Sequence, residues 1–299
     1  MAEELIIEAT GVRKAYGAVE ALKGLDLRVP RGAVCGLLGR NGAGKTTTIK
    51  VLLGMVRPTA GQARVFGLVA GDAKASVAIR SRTAFVSEDK DLYSGMTVGE
   101  LLRFTPDFYP TWRADLASTY LTQFELRADA AIKDLSRGMR TKLALLLACS
   151  TGAELLILDE PTSGLDPAAT EQVLKLLVKQ AAADGTTVLF SSHQLADVEQ
   201  IADRVAIVDR GRIVVDGVLD DVRAAYRRIE LVFDGAAPDA AFKSRGVVGT
   251  RREGRVLSVL SSAGDEGVVA EARALNPRSI DVHPVTLKEI FLETIGVEN

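Results

Sequence analysis

The stretch Gly39-Arg40-Asn41-Gly42-Ala43-Gly44-Lys45-Thr46-Thr47 satisfies the pattern G-x-x-x-x-G-K-[ST] at every specified position, and that pattern requires a strand before it and a helix after it. Both flanks comply. The apolar run Ala33–Leu38 reads as a buried strand and Thr46–Leu53 as a helix. Glycines let the backbone wrap closely around phosphates, while the loop N–H groups and the helix N-terminus face their negative charge. Lys45 would then reach the β and γ phosphates of a nucleoside triphosphate, and the Thr46 hydroxyl would hold Mg²⁺. A glycine-rich turn ahead of an ordinary helix is the competing reading, and it leaves the correct flanks and spacing unaccounted for.

A chain of 299 residues is long enough for one large domain and a small one. Its net charge of −2 supplies no global electrostatic reason to expect nucleic acid as a partner. Hydrophobic residues make up 47% of the chain, yet the longest apolar runs, such as Leu143–Cys149, fall far short of a bilayer span, which takes about 20 residues. The acidic start Met1-Ala2-Glu3-Glu4 runs directly into the strand-like Leu5–Ala9 and is unlike a basic signal sequence, so a cytoplasmic location is expected. Cys35 and Cys149 read as small buried hydrophobes, with no disulfide or metal site expected of them.

Two units are expected, 1–226 and 227–299, joined in the charged stretch Asp220–Arg228. In the first, strand-like segments at Leu5–Ala9 and Gly24–Val29 precede the phosphate-loop strand. Further strands are expected at Thr83–Val86, Glu154–Leu158, Thr186–Ser191 and Val205–Asp209. A helical insertion over about residues 96–150 carries Tyr109, Trp112, Tyr120 and Phe124, and the whole reads as an α/β sheet domain with an inserted helical subdomain. The second unit reads as a small α+β domain of ferredoxin-like kind. Its expected strands are Ile229–Phe233, Val247–Arg251, Val256–Leu260 and Ser279–His283, with a helix at Glu266–Leu275. Thr286 and Glu289 fit a capping box that opens a last helix, and Gly296 fits its stop. His283, Arg251 and Arg252 stand outside any chemical constellation and read as surface or structural residues.

Leu155-Leu156-Ile157-Leu158-Asp159-Glu160 is an apolar run ending in two carboxylates, the look of a buried central strand that delivers acids to a site at its C-terminal edge. Asp159 would anchor Mg²⁺ and Glu160 would polarise the attacking water, the positioned carboxylate that phosphoryl transfer uses. A solvated turn would explain an isolated Asp-Glu pair. Here Pro161-Thr162-Ser163-Gly164-Leu165-Asp166 follows at once, and Leu135-Ser136-Arg137-Gly138-Met139-Arg140 precedes it.

With these motifs in order, residues 5–222 resemble the nucleotide-binding subunits of ABC transporters, which are P-loop NTPases of the ABC ATPase type. The resemblance implies ATP and Mg²⁺ as ligands. It makes Tyr16 the aromatic that stacks on adenine, against the alternative of an ordinary exposed loop tyrosine. It makes Ser163–Asp166 the D-loop, with Asp166 beside the nucleotide, and His193, closing Phe190-Ser191-Ser192-His193, the switch histidine at the γ-phosphate. The signature Leu-Ser-Gly-Gly-Gln is matched in part, with Arg137 in place of the first glycine and Met139 in place of the glutamine. Ser136 and Gly138 remain, and a serine hydroxyl with backbone N–H groups at a helix start makes a positive pocket for γ-phosphate. In the family that pocket completes the site of the opposite subunit, so a dimer with itself or with a homologue is implied.

At the Q-loop, the family's glutamine aligns with Glu88, which still offers oxygen to Mg²⁺ or water but adds charge; a solvated loop acid is the alternative. This variation, together with Phe108-Tyr109-Pro110-Thr111-Trp112, is similar to the branch of single-domain exporter ATPases that includes YtrB-like proteins. Phe104–Trp112 would then either receive a coupling helix from a membrane subunit or pack within the helical subdomain. The resemblance thus implies an exporter ATPase on the inner face of the membrane, working with separate permease subunits and without nucleic acid. The rival reading is a soluble ABC-type ATPase acting on nucleic acid or ribosomes.

Overall fold

The computed structural model describes residues 4–296, so Met1–Glu3 of the acidic start lie outside the described residues. The chain enters through two long strands, β1 (Leu5–Tyr16) and β2 (Val19–Pro30), paired antiparallel across a turn in which Gly17 takes a φ of +58°. β3 (Val34–Leu38) is buried at every position and hands the phosphate loop to α1 (Lys45–Leu52). β4 (Ala60–Val65) then pairs with β1, and the short β5 (Leu68–Val69) completes a sheet in the order β2–β1–β4–β5. Neither β4 nor β5 is foreseen from sequence, because Ala60, Gly61 and Gln62 are exposed and carry no apolar signal. Gly61 is required there: at φ +75° a Cβ would collide with the Gly11 carbonyl oxygen.

After α2 (Ala73–Ser81) and β6 (Thr83–Val86) come the helices of the insertion, α3 (Val98–Phe104), α4 (Ala114–Gln123) and α5 (Arg137–Ser150). Tyr120 is buried, and its hydroxyl accepts a hydrogen bond from Gln180 Nε2 at 2.9 Å. β7 (Leu155–Asp159), α6 (Pro167–Asp184), β8 (Thr187–Ser192), α7 (Leu195–Ile201) and β9 (Arg204–Asp209) follow. Five parallel strands neighbour one another in the order β9–β3–β8–β7–β6. β3, β7 and β8 are buried at every position, which is why they read as unbroken apolar runs and not as alternating ones. Their C-terminal ends lie side by side, where an α/β sheet places its ligands. Both cysteines are buried, and burial pushes the Cys149 thiol up to about 12. Among the described residues no helix is long and apolar enough to cross a membrane.

The chain divides into Met1–Ile213 and Val214–Asn299, earlier than the expected join. β10 (Arg212–Val218) straddles the division, and the charged stretch in which the join was expected is α8 (Leu219–Ala225) running into β11 (Arg227–Val232). Its charges decorate the solvated side of a helix whose Leu219 and Val222 are buried. With β12 (Val247–Glu253), β13 (Val256–Ser261), α9 (Glu266–Arg273) and β14 (Ser279–Pro284), the second unit forms an antiparallel sheet in the order β12–β13–β11–β14. That order is ferredoxin-like, with irregular chain between β11 and β12 in place of the first crossover helix. Ala237, Ala240 and Phe242 of that irregular segment still pack on Ile229, Leu231 and Val259.

The last helix, α10 (Leu287–Thr294), opens on the expected box: Glu289 Oε2 accepts from the Thr286 N–H at 2.9 Å and Thr286 Oγ1 from the Glu289 N–H at 3.3 Å. Gly296 follows it at φ +57°. Thr286→Ala should therefore cost the second unit about 1 kcal/mol, read as a lower denaturation midpoint; an unchanged midpoint would show that α10 is held by packing alone.

Candidate functional site

The phosphate loop is shaped by three glycines. A Cβ on Gly39 would approach the Val208 carbonyl oxygen to 2.7 Å, and one on Gly44, at φ +114°, would meet Leu22 Cδ2 at 2.9 Å. Gly42 adopts φ +79° with nothing within 4 Å of its missing Cβ, so the loop closes tightly on the sheet side and stays open on the other. Ala43 is buried, and its carbonyl accepts the Gly211 N–H at 2.9 Å. α1 begins at Lys45, and the first N–H groups of such a helix lack intrahelical acceptors, which leaves its N-terminus suited to an anion. Lys45 Nζ donates to the Gly39 carbonyl at 2.8 Å.

A cavity of about 470 Å³ opens here. Arg40, Asn41, Gly42, Gly44, Lys45, Thr46 and Thr47 line it from the loop, Tyr16 from the end of β1, Glu88 from beyond β6, and Asp159 and Glu160 from the end of β7. Tyr16 is 47% exposed, with the Lys14 ammonium 5.0 Å from its ring centroid. Thr46, Glu88 and Asp159, residues that carry hard oxygen donors, all line this space. Among the described residues no three His, Cys, Asp or Glu side chains gather into a metal cage. Mg²⁺ does not need one, because it keeps several waters and takes only one or two carboxylates beside substrate phosphates.

At the end of β7 two residues missed by the sequence reading organise the acids. Ser191 Oγ donates to Asp159 Oδ1 at 2.5 Å and accepts the Glu160 N–H at 3.0 Å. Glu160 itself sits at φ +50°, a left-handed conformation that costs a non-glycine residue about 1–3 kcal/mol and persists only where its surroundings enforce it. They do so from several sides. Its carbonyl accepts Lys90 Nζ at 2.7 Å and the Ser163 N–H at 3.2 Å, and Lys90 also reaches the Asp159 carbonyl at 3.4 Å. Its carboxylate has His193 Nδ1 2.8 Å from Oε2 and Lys45 Nζ 3.4 Å from Oε1. Lys45 and Glu160 are 7% and 6% exposed, whereas His193 is 51% exposed at the rim. Burial pushes the Lys90 ammonium below the usual lysine range, and the Asp159 and Glu88 carboxylates pull it back up. Thr162 Oγ1 donates to Asp197 at 2.5 Å and ties the turn after Glu160 to α7; burial holds the Asp197 carboxyl above its ordinary range.

Ser136, Gly138 and Asp166 are not brought to this cavity. Ser136 Oγ caps α5 by accepting the Met139 N–H at 3.2 Å, and Asp166 Oδ1 caps α6 by accepting the Ala169 N–H at 2.9 Å. A Cβ on Gly138 would lie 3.5 Å from Leu165 Cδ2. Arg137 donates through Nη2 to Ser163 Oγ at 3.0 Å, which ties the start of α5 to the segment before α6 in the same chain. The aromatic segment divides. Phe104, Phe108 and Tyr109 line a second cavity of about 440 Å³ together with Tyr93, whereas Trp112 does not. Phe104 packs edge-on against Tyr93 and Phe108, at 5.8 and 4.9 Å between ring centroids.

Residues 22–163, which enclose the phosphate loop, Ser136, Asp159 and Glu160, match the family described as "ABC transporter". The chain is 36% identical to daunorubicin resistance ATP-binding protein DrrA3 of Streptomyces coeruleorubidus, over 97% of this chain and 96% of that one. It is 26% identical to ABC transporter ATP-binding protein YtrB of Bacillus subtilis (strain 168), over 97% and 98%. A solved structure described as that of an ATP binding subunit of an ABC transporter aligns with a TM-score of 0.67 at 32% identity, covering 73% of this chain and 92% of its own.

Proposed function

We propose, from the premise that the chain belongs to the ABC transporter ATP-binding family, that it is the ATP-hydrolysing subunit of an exporter whose membrane-spanning subunits are separate chains. The observation that carries this reading is the buried Glu160 carboxylate, held between His193 and Lys45 in the same cavity as the phosphate loop. Relatives named for daunorubicin resistance and bacitracin transport favour export over action on nucleic acid or ribosomes. The place of work is then the inner face of the cell membrane.

In this reading Tyr16 stacks on the adenine, the loop from Gly39 to Thr47 wraps the phosphates, and Lys45 turns its charge to the β and γ groups. Mg²⁺, held by Thr46, Asp159 and Glu88, would neutralise phosphate charge. Glu160 orients a water and takes its proton as that water's oxygen bonds to the γ-phosphorus and the bond to ADP breaks. His193, fixed against Glu160 Oε2, keeps that carboxylate aimed. Ser136 and Gly138, at the start of α5, complete the site of a second subunit, with Asp166 in the adjoining D-loop.

The composite site has a direct test. A Lys45→Ala subunit paired with a Ser136→Arg subunit has one interface with both defects and one with intact halves. ATP-dependent dimerisation, absent from each variant alone, should return in the mixture, as measured by particle size in Mg-ATP. Wild-type dimerisation is the first arm. A wild-type dimer without recovery in the mixture, or an ATPase rate per subunit independent of concentration in a monomer, overturns the shared site.

A further inference from the structure

We infer that Lys90 is a positioning residue for hydrolysis: its buried ammonium clamps the main chain of Glu160, so the aim of the carboxylate is set from the loop that follows β6. This rests on the reading of Glu160 as the base, and adds to it a residue 70 positions away in sequence.

Lys90 is 6% exposed, and its ammonium is directed at the Glu160 carbonyl at 2.7 Å and the Asp159 carbonyl at 3.4 Å. Desolvating an ammonium is costly, and a site that only needed its volume filled would be served by an apolar side chain. What the charge meets is the carbonyl of a residue in a left-handed conformation, which persists only where its neighbours over-determine it. The other bond to that carbonyl, from the Ser163 N–H, is the longer one at 3.2 Å. Without Lys90 the peptide after Glu160 can rotate toward a relaxed conformation, and its carboxylate then leaves His193 Nδ1 and the phosphate loop.

The origin of the clamp matters as well. Lys90 sits at φ +49° in a segment whose Glu88 lines the nucleotide cavity, while Lys90, Asp91 and Tyr93 line the aromatic cavity beside Phe104. One short loop thus borders both spaces and holds Glu160 by its backbone. Substitution of Lys90 should leave the phosphate cradle untouched and misdirect the base.

The test compares Lys90→Met with the wild type in ATP titration and steady-state and single-turnover hydrolysis. A misplacement of about 1 Å can cost about 10²-fold in rate, so kcat should fall about 10- to 100-fold, with ATP affinity and KM changed less than about twofold. Lys90→Gln, which keeps N–H donors on its amide, should recover part of kcat. In a Glu160→Gln background Lys90→Met should slow single-turnover hydrolysis no further, since a residue acting through Glu160 has nothing left to position. An unchanged kcat in folded Lys90→Met, a loss of ATP affinity matching the loss of kcat, or the same fold-loss in the Glu160→Gln background overturns the proposal. Should Lys90→Met fail to fold, Lys90→Ala, which likewise removes the donor, carries the same comparisons, and wild-type rate in that variant is the overturning result. Near-normal turnover in Glu160→Gln alone refutes the base assignment itself, which separates that failure from failure of the Lys90 clamp.

Discussion

Glu160→Gln is expected to bind ATP about as tightly as the wild type and to hydrolyse it about 10²–10⁴-fold more slowly, the usual worth of a positioned base. The substitution keeps the size of the side chain and removes its negative charge and its capacity to take a proton. It leaves the main-chain bonds to Ser191 and Lys90 in place, so the left-handed turn has no reason to relax. The phosphate loop is likewise unaltered, since its closure depends on Gly39 and Gly44 packing against β9 and β2. Nucleotide titration and steady-state hydrolysis on the same preparation separate the two effects. Near-normal turnover would move the catalytic role to another group in the cavity.

Lys45→Ala is expected to act on binding itself. Hydrogen bonds to charged groups contribute about 1.5–3 kcal/mol each, and about 1.4 kcal/mol is tenfold in affinity, so loss of one such bond should weaken ATP binding about 10- to 150-fold. The lysine is also the cationic neighbour of Glu160 at 3.4 Å. Its removal leaves the carboxylate with His193 as its remaining close partner, and hydrolysis should fall even at saturating nucleotide. A titration that shows unchanged affinity would count against the phosphate-loop role. A denaturation midpoint on the same protein distinguishes lost binding from lost folding.

Much of this site is legible from the sequence because its parts are local. Gly39 to Thr47 act through backbone conformation within a single turn, and the demand for glycine at Gly44 is met by the residue itself. Asp159 and Glu160 announce themselves because a strand buried on both faces must be apolar throughout, so that two acids at its end stand out. The box of Thr286 and Glu289 is legible for the same reason, its hydrogen bonds spanning three residues.

Other features depend on partners far along the chain. β4 was invisible because its first residues are exposed polar or small ones paired to β1, and the helix α8 within the charged stretch was not foreseen because its charges mask two buried side chains. Ser191 and Lys90 carry no motif of their own: each acts on the backbone or carboxylate of a residue brought near by the parallel neighbours β6, β7 and β8. The sequence by itself determined the phosphate cradle and the acid pair, because both are written in local periodicity or in the conformational freedom of particular residues. The contact between Lys90 and the Glu160 carbonyl was decided by tertiary structure alone, since a side chain that hydrogen-bonds to a main-chain carbonyl 70 residues away leaves no pattern in the local order of residues.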